Sequence, residues 1–265
     1  MILGGGSLGC SLAEGLLDAG THQPQDLVVT RRRPELLRHL HLRGVEVLAD
    51  NRAAVRTARF VVLAVEPAQV SSVLAEIAPE LDPERHVLVS CATGIGLDSL
   101  HASTGGKVPV VLAMPNTAVA VGASMTCLAS RDVQGPVLDE VAALFETVGV
   151  VEHIPEELMA AATVLGACGI AYALRFVRAA SQGGIEIGFD SSTAGRIAAQ
   201  TAYGAAKLLL DNGAHPEHEI DRVTTPRGCT IAGLNEMEHR GFSSALIKGV
   251  TTSFEKIGGM GDGVD

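Results

Sequence analysis

Apolar and polar positions alternate in two different periods along the first part of the chain. Short apolar runs typical of buried strands lie at 26–30, 45–48, 60–65, 86–90 and 108–113, with further candidates at 123–128 and 148–153. Apolar residues at three- and four-residue spacing predict helices over 7–19, 34–43, 67–77 and 133–145. This alternation predicts a parallel sheet covered by helices on both faces.

From Pro155 onward the strand pattern ends and alanine-rich helical patterns replace it. They predict helices over 155–184, 191–212, 216–223 and 229–257. We therefore predict an α/β fold with two domains, an N-terminal parallel-sheet domain over residues 1–153 and an all-α domain over residues 154–265.

The helical half carries small residues around most of the helix circumference, for example over 158–165 and 198–206. Such helices are expected to be buried on more than one side, and a domain of about 110 residues has little interior for that. We expect a homodimer formed through the C-terminal helices. The alternative is a monomer that buries these faces internally.

The glycine motif Gly4-x-Gly6-x-x-Gly9 lies between an apolar strand end and an amphipathic helix. In a Rossmann-type domain the first glycine permits a tight turn, the second lets a pyrophosphate approach, and the third lets helix pack on strand. The helix that starts with Ser7 and Leu8 would offer its free amides to the phosphates. The motif predicts a dinucleotide site, and the alternative is a glycine-rich turn that binds nothing. Because about three residues precede Gly4, we expect the first strand to begin upstream of residue 1.

The end of the second predicted strand indicates which dinucleotide is preferred. NAD sites usually place a carboxylate there, but this chain has Thr30 followed by Arg31, Arg32 and Arg33. Guanidinium groups pair with a 2′-phosphate through charge-assisted hydrogen bonds. NADP(H) is therefore favoured and NAD(H) remains possible, while the alternative is a helix start that is simply solvated.

Composition and charge narrow the function further. The formal net charge of −10 disfavours nucleic-acid binding, and the longest unbroken apolar run, 60–65, is too short to cross a bilayer. The 5 cysteines show no Cys-x-x-Cys spacing, so no metal site and no disulfide framework is expected. The pair His215 and His218 is the alternative metal-binding candidate. A cytoplasmic protein with reduced thiols is the expectation.

Four segments carry a family resemblance. In chain order they are LAVEPAQV at 63–70, AMPNTAVAVGASMT at 113–126, AAQTAYGAAKLL at 198–209 and VTTPRGCTIAGLNEME at 223–238. Together with the glycine motif, they make the chain resemble the pyrroline-5-carboxylate reductase family over nearly its whole length. The resemblance implies a Rossmann domain followed by a helical dimerisation domain, with dimers that can assemble into decamers. It also implies NAD(P)H-dependent reduction of the cyclic imine 1-pyrroline-5-carboxylate to L-proline.

The segment 228–234 reads as a helix start with free amides, which predicts a site for a carboxylate. The resemblance implies that Thr230 is the catalytic threonine near the imine, and that Thr225, Gly228 and Cys229 bind the substrate carboxylate together with Thr230. The alternative is that Thr225 or Thr230 only caps the helix.

The resemblance also implies cofactor contacts. Met114 and Asn116 would lie beside the nicotinamide, with Asn116 also reaching the substrate. Asn51 would lie near the adenosine end, and the stretch Ala64, Val65 and Pro67 would line the cofactor. The alternatives are apolar packing for Ala64 and Val65, and an ordinary turn at 115–117.

Three departures from the family pattern leave the substrate open. Glu66 replaces a usual lysine, Arg227 replaces a usual glycine, and the stretch 166–172 reads GACGIAY, without two hydroxyls and a proline. The alternative functions are reduction of a different cyclic imino acid, and an NADP-binding regulatory paralogue with weak or lost catalysis.

Overall fold

The structure is a computed structural model that describes residues 1–131, 133 and 135–261. The chain divides into two units. The first comprises Met1–Ile170 together with the residues from Ser253 onward, and the second is Ala171–Thr252. The domain boundary at residue 153 stays a prediction, and the last strand ends at that residue.

Within the described part of the first unit, one eight-stranded sheet has the order β3-β2-β1-β4-β5-β6-β7-β8. The strands are β1 Ile2–Leu3, β2 Val28–Thr30, β3 Glu46–Leu48, β4 Phe60–Leu63, β5 Val87–Ser90, β6 Val110–Met114, β7 Ser124–Ala129 and β8 Gly149–His153. The strand order reverses beside β1, and at such a switch point the carboxyl ends of the strands form a ligand crevice. The predicted strands and the predicted fold class are confirmed.

One strand pair departs from the parallel arrangement. β6 and β7 are antiparallel, with Ala113 opposite Leu128, whereas the other pairs of the sheet are parallel. The link between them, Thr117–Val121, is a 3-10 helix rather than a full crossover helix. A parallel pair needs a crossover of a dozen or more residues, so the short link forces the reversal.

Helices cover both faces of the sheet. They are α1 Ser7–Asp18, α2 Arg38–Leu42, α3 Asn51–Val55, α4 Val70–Ile77, α5 Leu97–Thr104, α6 Pro136–Glu146 and α7 Met159–Ala162. Adjacent residues Ile2 and Leu3 belong to different apolar clusters, because successive strand side chains point to opposite faces. Leu12 and Phe145 pack in one cluster and Leu74 and Leu97 in the other, which fixes α1 and α5 against the sheet.

The remaining helices include the longest of the described chain. A π-helical segment, Thr163–Cys168, leads from α7 into α8 Gly169–Glu186, and α9 Ser191–Asn212, α10 Pro216–Val223, α11 Cys229–His239 and α12 Phe242–Gly261 follow. The prediction of a single helix over 229–257 is wrong, since α11 ends at His239 and Gly241 adopts φ 79°. The apolar period continues across that glycine, so periodicity alone did not reveal the break.

The second unit buries little of its own apolar surface in a single chain. In α9 only Ala194 and Ala198 are buried, and α10 and α11 bury no residue. Leu210 is 81% exposed. The helical stretch Glu156–Glu186, which begins in the first unit, is long and apolar enough to cross a membrane by length and composition. The sequence prediction of no membrane span rested on the short unbroken apolar runs, whereas the mean hydropathy of this stretch is high despite its isolated polar residues.

Candidate functional site

The glycine loop between β1 and α1 has room for glycine only at two of its positions. Gly4 has φ 103°, and a Cβ atom there would lie 2.5 Å from the carbonyl oxygen of Ala64. A Cβ atom on Gly9 would lie 2.0 Å from the carbonyl oxygen of Gly4. Larger residues at either position would push the loop away from β4 or α1 away from β1. The loop therefore has the tight turn and close helix packing of a dinucleotide site.

The second glycine of the motif, Gly6, faces open space. Gly6 is the N-cap of α1, no side chain caps this helix, and a Cβ atom on Gly6 would meet nothing within 4 Å. The first turn, with exposed Ser7 and half-buried Leu8, contains no acidic residue. Free amides at the positive end of a helix dipole beside open space fit the pyrophosphate of a dinucleotide.

The carboxyl end of β2 adjoins this loop. The carbonyl oxygen of Thr30 accepts hydrogen bonds from the amides of Gly4 at 3.2 Å and Gly5 at 2.7 Å. Arg31 follows directly, and its amide donates to the Leu48 carbonyl at 3.0 Å. Among the described residues, the side chains of Arg31 and Arg32 have no ion-pair partner. Two arginines without ion-pair partners, at the strand end that adjoins the glycine loop, fit a 2′-phosphate.

The carboxyl end of β4 forms the other side of the glycine loop. The amide of Ala64 donates to the Leu3 carbonyl at 2.8 Å, and Cγ1 of Val65 lies 2.8 Å from the position of a Cβ atom on Gly4. Pro67 begins a 3-10 turn, and Glu66 before it is exposed. The structure thus brings Ala64 and Val65 beside the glycine motif, and their contact with the cofactor stays a prediction.

The predicted adenosine contact, Asn51, is the first residue of α3. Its Nδ2 atom donates to Oε2 of Glu76 on α4 at 2.9 Å. One Nδ2 hydrogen is therefore held by a neighbouring helix, and the side-chain oxygen and the second Nδ2 hydrogen are left for a ligand.

Asn116 connects three segments beyond the end of β6. Its side-chain oxygen accepts from the Ala118 amide at 3.0 Å, its Nδ2 donates to the Gly166 carbonyl at 3.2 Å, and its backbone amide donates to Oγ of Ser124 at 3.1 Å. The residue is 6% exposed. The structure gives Asn116 a scaffolding role, and one Nδ2 hydrogen is left for a ligand.

A cavity of about 200 Å³ opens at the carboxyl ends of β5 and β6. Its lining includes Ser90, Gly94, Met114, Glu156 and Thr163. Among these, only Met114 was predicted from the sequence as a site residue. Ser90 had a usable signal, because a polar residue that ends a buried parallel strand often lies at a ligand site. Glu156 and Thr163 had none in the sequence.

The predicted substrate loop belongs to the second unit. Gly228 is the N-cap of α11, and no side chain caps this helix. The Gly228 amide donates to the Thr225 carbonyl at 2.9 Å, and Arg227 between them adopts φ 60°. In the described structure, therefore, neither Thr225 nor Thr230 caps this helix. The uncapped amides at the start of α11 fit a carboxylate.

The side chains of this loop are open to solvent. Thr225, Cys229 and Thr230 are exposed, and Gly228 is half-buried. A Cβ atom on Gly228 would lie 2.5 Å from Oγ1 of Thr225, so glycine is required for the hydroxyl to approach the helix start. The structure thus groups four of the five predicted substrate residues at one helix terminus, while the fifth, Asn116, belongs to the first unit.

The environments of Cys91, Cys10 and His215 fit structural rather than chemical roles. Burial raises the pKa of the Cys91 thiol to about 12, and burial also raises the pKa of Cys10, whose Sγ lies 3.5 Å from the Gly5 carbonyl. His215 accepts a hydrogen bond from the Glu217 amide at 3.3 Å and so caps α10. In the ranges that the structure describes, no three residues of the His, Cys, Asp or Glu type are grouped to hold a metal ion.

Two family descriptions match this chain. Pyrroline-5-carboxylate reductase dimerisation matches residues 156–260, and NADP oxidoreductase coenzyme F420-dependent matches residues 1–94. Among solved structures, pyrroline carboxylate reductase of Plasmodium falciparum with NADP bound has a TM-score of 0.87 at 24% identity, covering 98% of this chain and 97% of that one. The enzyme from Coxiella burnetii has a TM-score of 0.84 at 27% identity, covering 97% and 96%.

Sequence relatives extend over almost the whole chain. Pyrroline-5-carboxylate reductase 2 of Dictyostelium discoideum is 42% identical, covering 96% of this chain and 90% of that protein. The Dictyostelium reductase 1 is also 42% identical over 98% of this chain, which spans about half (49%) of that relative's length. A Mycobacterium tuberculosis relative of the same name is 37% identical, covering 92% of this chain and 90% of that protein. The chain belongs to the pyrroline-5-carboxylate reductase family.

Proposed function

We propose that this protein catalyses the NADPH-dependent reduction of 1-pyrroline-5-carboxylate to L-proline, a step of proline biosynthesis. The observation that carries the proposal is the uncapped start of α11, where Thr225, Gly228, Cys229 and Thr230 surround free amides. A carboxylate is the natural guest of such a helix end. Relatives at 42% identity over nearly the whole chain are named for this reaction.

For the cofactor, the first unit supplies a cradle that fits a dinucleotide. Gly4, Gly6 and Gly9 shape the loop, and the amides of Ser7 and Leu8 receive the pyrophosphate. Thr30, Arg31 and Arg32 contact the 2′-phosphate, Asn51 lies at the adenosine end, and Ala64, Val65, Pro67, Met114 and Asn116 lie along the rest of the cofactor. NADP(H) is favoured over NAD(H), and NADPH when bound supplies the hydride.

On the substrate side, the start of α11 holds the carboxylate and Thr230 directs its hydroxyl towards the imine nitrogen. Hydride addition to a C=N carbon is easier when the nitrogen is protonated, and the substrate can bind as the iminium. The site then needs donors and acceptors that orient the ring rather than a strong acid, and threonine hydroxyls with backbone amides supply them.

The same proposal includes the assembly. The exposed apolar residues of the second unit pair with a second copy through the C-terminal helices, and these dimers can join into decamers. The region matched by the dimerisation description, 156–260, contains the whole apolar stretch Glu156–Glu186, so a partner copy accounts for its exposure better than a membrane. We place the protein in the cytoplasm, with a small cyclic imino acid and no nucleic acid as its partner.

The test is a steady-state comparison of two imines and two cofactors. Purified protein is expected to oxidise NADPH with 1-pyrroline-5-carboxylate, to prefer that substrate over its six-membered homologue, and to restore growth of a proline auxotroph. A strong preference for the six-membered ring would show that the substrate is a different cyclic imino acid. NADPH binding without turnover of either imine would show that the protein is a regulatory paralogue rather than an enzyme.

A further inference from the structure

One carboxylate joins two segments that are far apart in the chain. Oε1 of Glu156 accepts a hydrogen bond from the backbone amide of Leu97 at 2.7 Å, and Oε2 lies 2.7 Å from Nη2 of Arg131. Nη1 of the same guanidinium group contacts Oδ1 of Asp98 at 2.6 Å. The Glu156 side chain is 22% exposed. The carboxylate is thus held by a helix start and by a cation at once.

The hydrogen bond to Leu97 supplies a cap that α5 otherwise lacks. Gly96 is the N-cap of α5 and has no side chain to accept from the first turn. Glu156, which lies 59 residues further along the chain, takes that role. A Cβ atom on Gly96 would lie 3.1 Å from Oε1 of Glu156, so the glycine leaves the space that the carboxylate occupies.

The two joined segments adjoin two walls of the cavity at the ends of β5 and β6. One wall is the loop after β5, with Gly94, Ile95 and Gly96, and the other is the helical turn with Met159, Ala160 and Thr163. Glu156 immediately precedes the second wall in the chain and contacts the helix that follows the first. Its carboxylate therefore links the two walls.

We propose that Glu156 is a positioning residue for imine reduction, because it fixes the shape of the cavity into which the reacting end of the cofactor and the imine fit. The inference rests on the proposed function. The cavity lies where ligands of open parallel sheets bind, beyond the carboxyl ends of the strands. Small displacements of groups that orient reactants lower rates strongly, even when those groups touch neither reactant.

The test uses three variants and one control in the full-length protein. Glu156→Ala removes both contacts, Glu156→Gln keeps an acceptor for the Leu97 amide, and Gly96→Ala presses a methyl group against the carboxylate without removing a polar group. Glu140→Ala is the control. It removes a carboxylate that forms a similar ion pair, with Arg59 at 3.0 Å, on the surface and away from the cavity.

We expect Glu156→Ala to lower kcat/KM for 1-pyrroline-5-carboxylate by about tenfold or more, with changes in both kcat and KM. NADPH binding should keep its stoichiometry and stay within about twofold in affinity, because the glycine loop is untouched. Glu156→Gln should recover most of the rate, Gly96→Ala should raise KM several-fold, and Glu140→Ala should behave as the wild type. A purely structural role would instead lower the fraction of protein that binds NADPH and leave KM unchanged.

Equal kcat/KM for Glu156→Ala and the wild type would overturn the inference. If that variant does not fold, Gly96→Ala decides, and unchanged kinetic constants would overturn the inference as well. If the wild type reduces no pyrroline-5-carboxylate, the proposed function has failed. Amide hydrogen exchange then tests the role of Glu156 in linking the two walls without relying on activity. Faster exchange at Leu97 in Glu156→Ala but not in Glu156→Gln supports the link between the walls, and unchanged exchange contradicts it.

Discussion

The backbone amide of Gly228 donates to the carbonyl of Thr225 at 2.9 Å and so closes a turn in which Arg227 has φ 60°. Pro226 precedes Arg227, which places the proline and the positive φ at the two central positions of a type II turn. Glycine is the residue that this geometry favours, and the family pattern has a glycine here. An arginine in the left-handed region costs about 1 kcal/mol, so this chain accepts strain to place a guanidinium group beside the proposed carboxylate site.

Arg227→Gly is expected to stabilise the protein by about 1 kcal/mol, because it removes the left-handed strain. Arg227→Ala removes the same charge but keeps the strain, so its stability should stay near that of the wild type. Thermal midpoints are compared at one protein concentration, since assembly contributes to them. If both variants gain equal stability, the charge and not the backbone is responsible. A rise in KM for the imine in both would show that the guanidinium contacts the substrate.

Gly6→Asp is expected to abolish NADPH binding while the fold is kept. A Cβ atom at Gly6 meets nothing within 4 Å, so the side chain fits, and an aspartate there caps α1 and adds about 0.5 kcal/mol. Its charge would repel the pyrophosphate at the same helix end. Calorimetric titration with NADPH measures the loss, and Gly6→Ser serves as the uncharged control with a milder effect. Tight NADPH binding by Gly6→Asp would rule out this helix end as the phosphate site.

Replacing Arg31 and Arg32 with alanine is expected to raise KM for NADPH about tenfold or more per residue, with little change for NADH. The reason is that only NADPH carries the 2′-phosphate. Arg38→Ala is a matched control, since Arg38 is exposed like Arg32 and lies on α2. Equal changes for both cofactors would contradict the assignment of a 2′-phosphate site.

Thr230→Ala is expected to lower kcat about ten- to a hundredfold and to leave NADPH affinity intact. No cap of α11 is lost, because Gly228 is its N-cap and no side chain caps the helix. The thermal midpoint should therefore not change, and Thr230→Ser should restore most of the rate. An unchanged kcat in Thr230→Ala would remove Thr230 from the catalytic site.

His86 should make stability fall in mild acid. Its Nδ1 accepts from the Asp82 amide at 2.8 Å and its Nε2 donates to the Val55 carbonyl at 3.0 Å, so the buried ring is neutral. Burial lowers the pKa of His86 below the ordinary value of about 6.5. The unfolded chain binds the proton first, so the free energy of unfolding decreases as the pH drops below about 6.5.

Denaturant unfolding at pH 7 and pH 5 measures this effect. The decrease should be smaller in His86→Gln than in the wild type, whereas His41→Gln, at an exposed position, should retain the full decrease. An identical decrease in His86→Gln would show that other groups cause the acid sensitivity.

The sheet and the glycine loop were predictable because their signals are local. Val61 and Val62 lie in an apolar run of strand length, and Gly4, Gly6 and Gly9 lie at fixed spacing between a strand and a helix. Short helices such as α3 were not predicted, since five residues do not establish a period. The break at Gly241 also escaped prediction, because a glycine is compatible with either a helix end or a helix interior.

The candidate site was predictable only where the family resemblance or the glycine motif applied. Asn116 was expected to reach the ligand, but its bond to the Gly166 carbonyl depends on a π-helical segment that no sequence pattern indicates. Glu156 is an ordinary surface-type residue in the sequence, and its contact with Leu97 spans 59 residues. Contacts of this range follow from the packed fold rather than from local periodicity.

The scarcity of buried residues in the second unit affects how the protein reaches its native state. With only Ala194 and Ala198 buried in α9 and none in α10 and α11, a newly made chain gains little by forming these helices alone. Final folding should then require an encounter with another chain, so its rate should rise with protein concentration. Dilution would slow recovery after denaturation, and a substitution at Leu210 or Ile247 would reduce the yield of active enzyme even though both lie on the surface of the single chain.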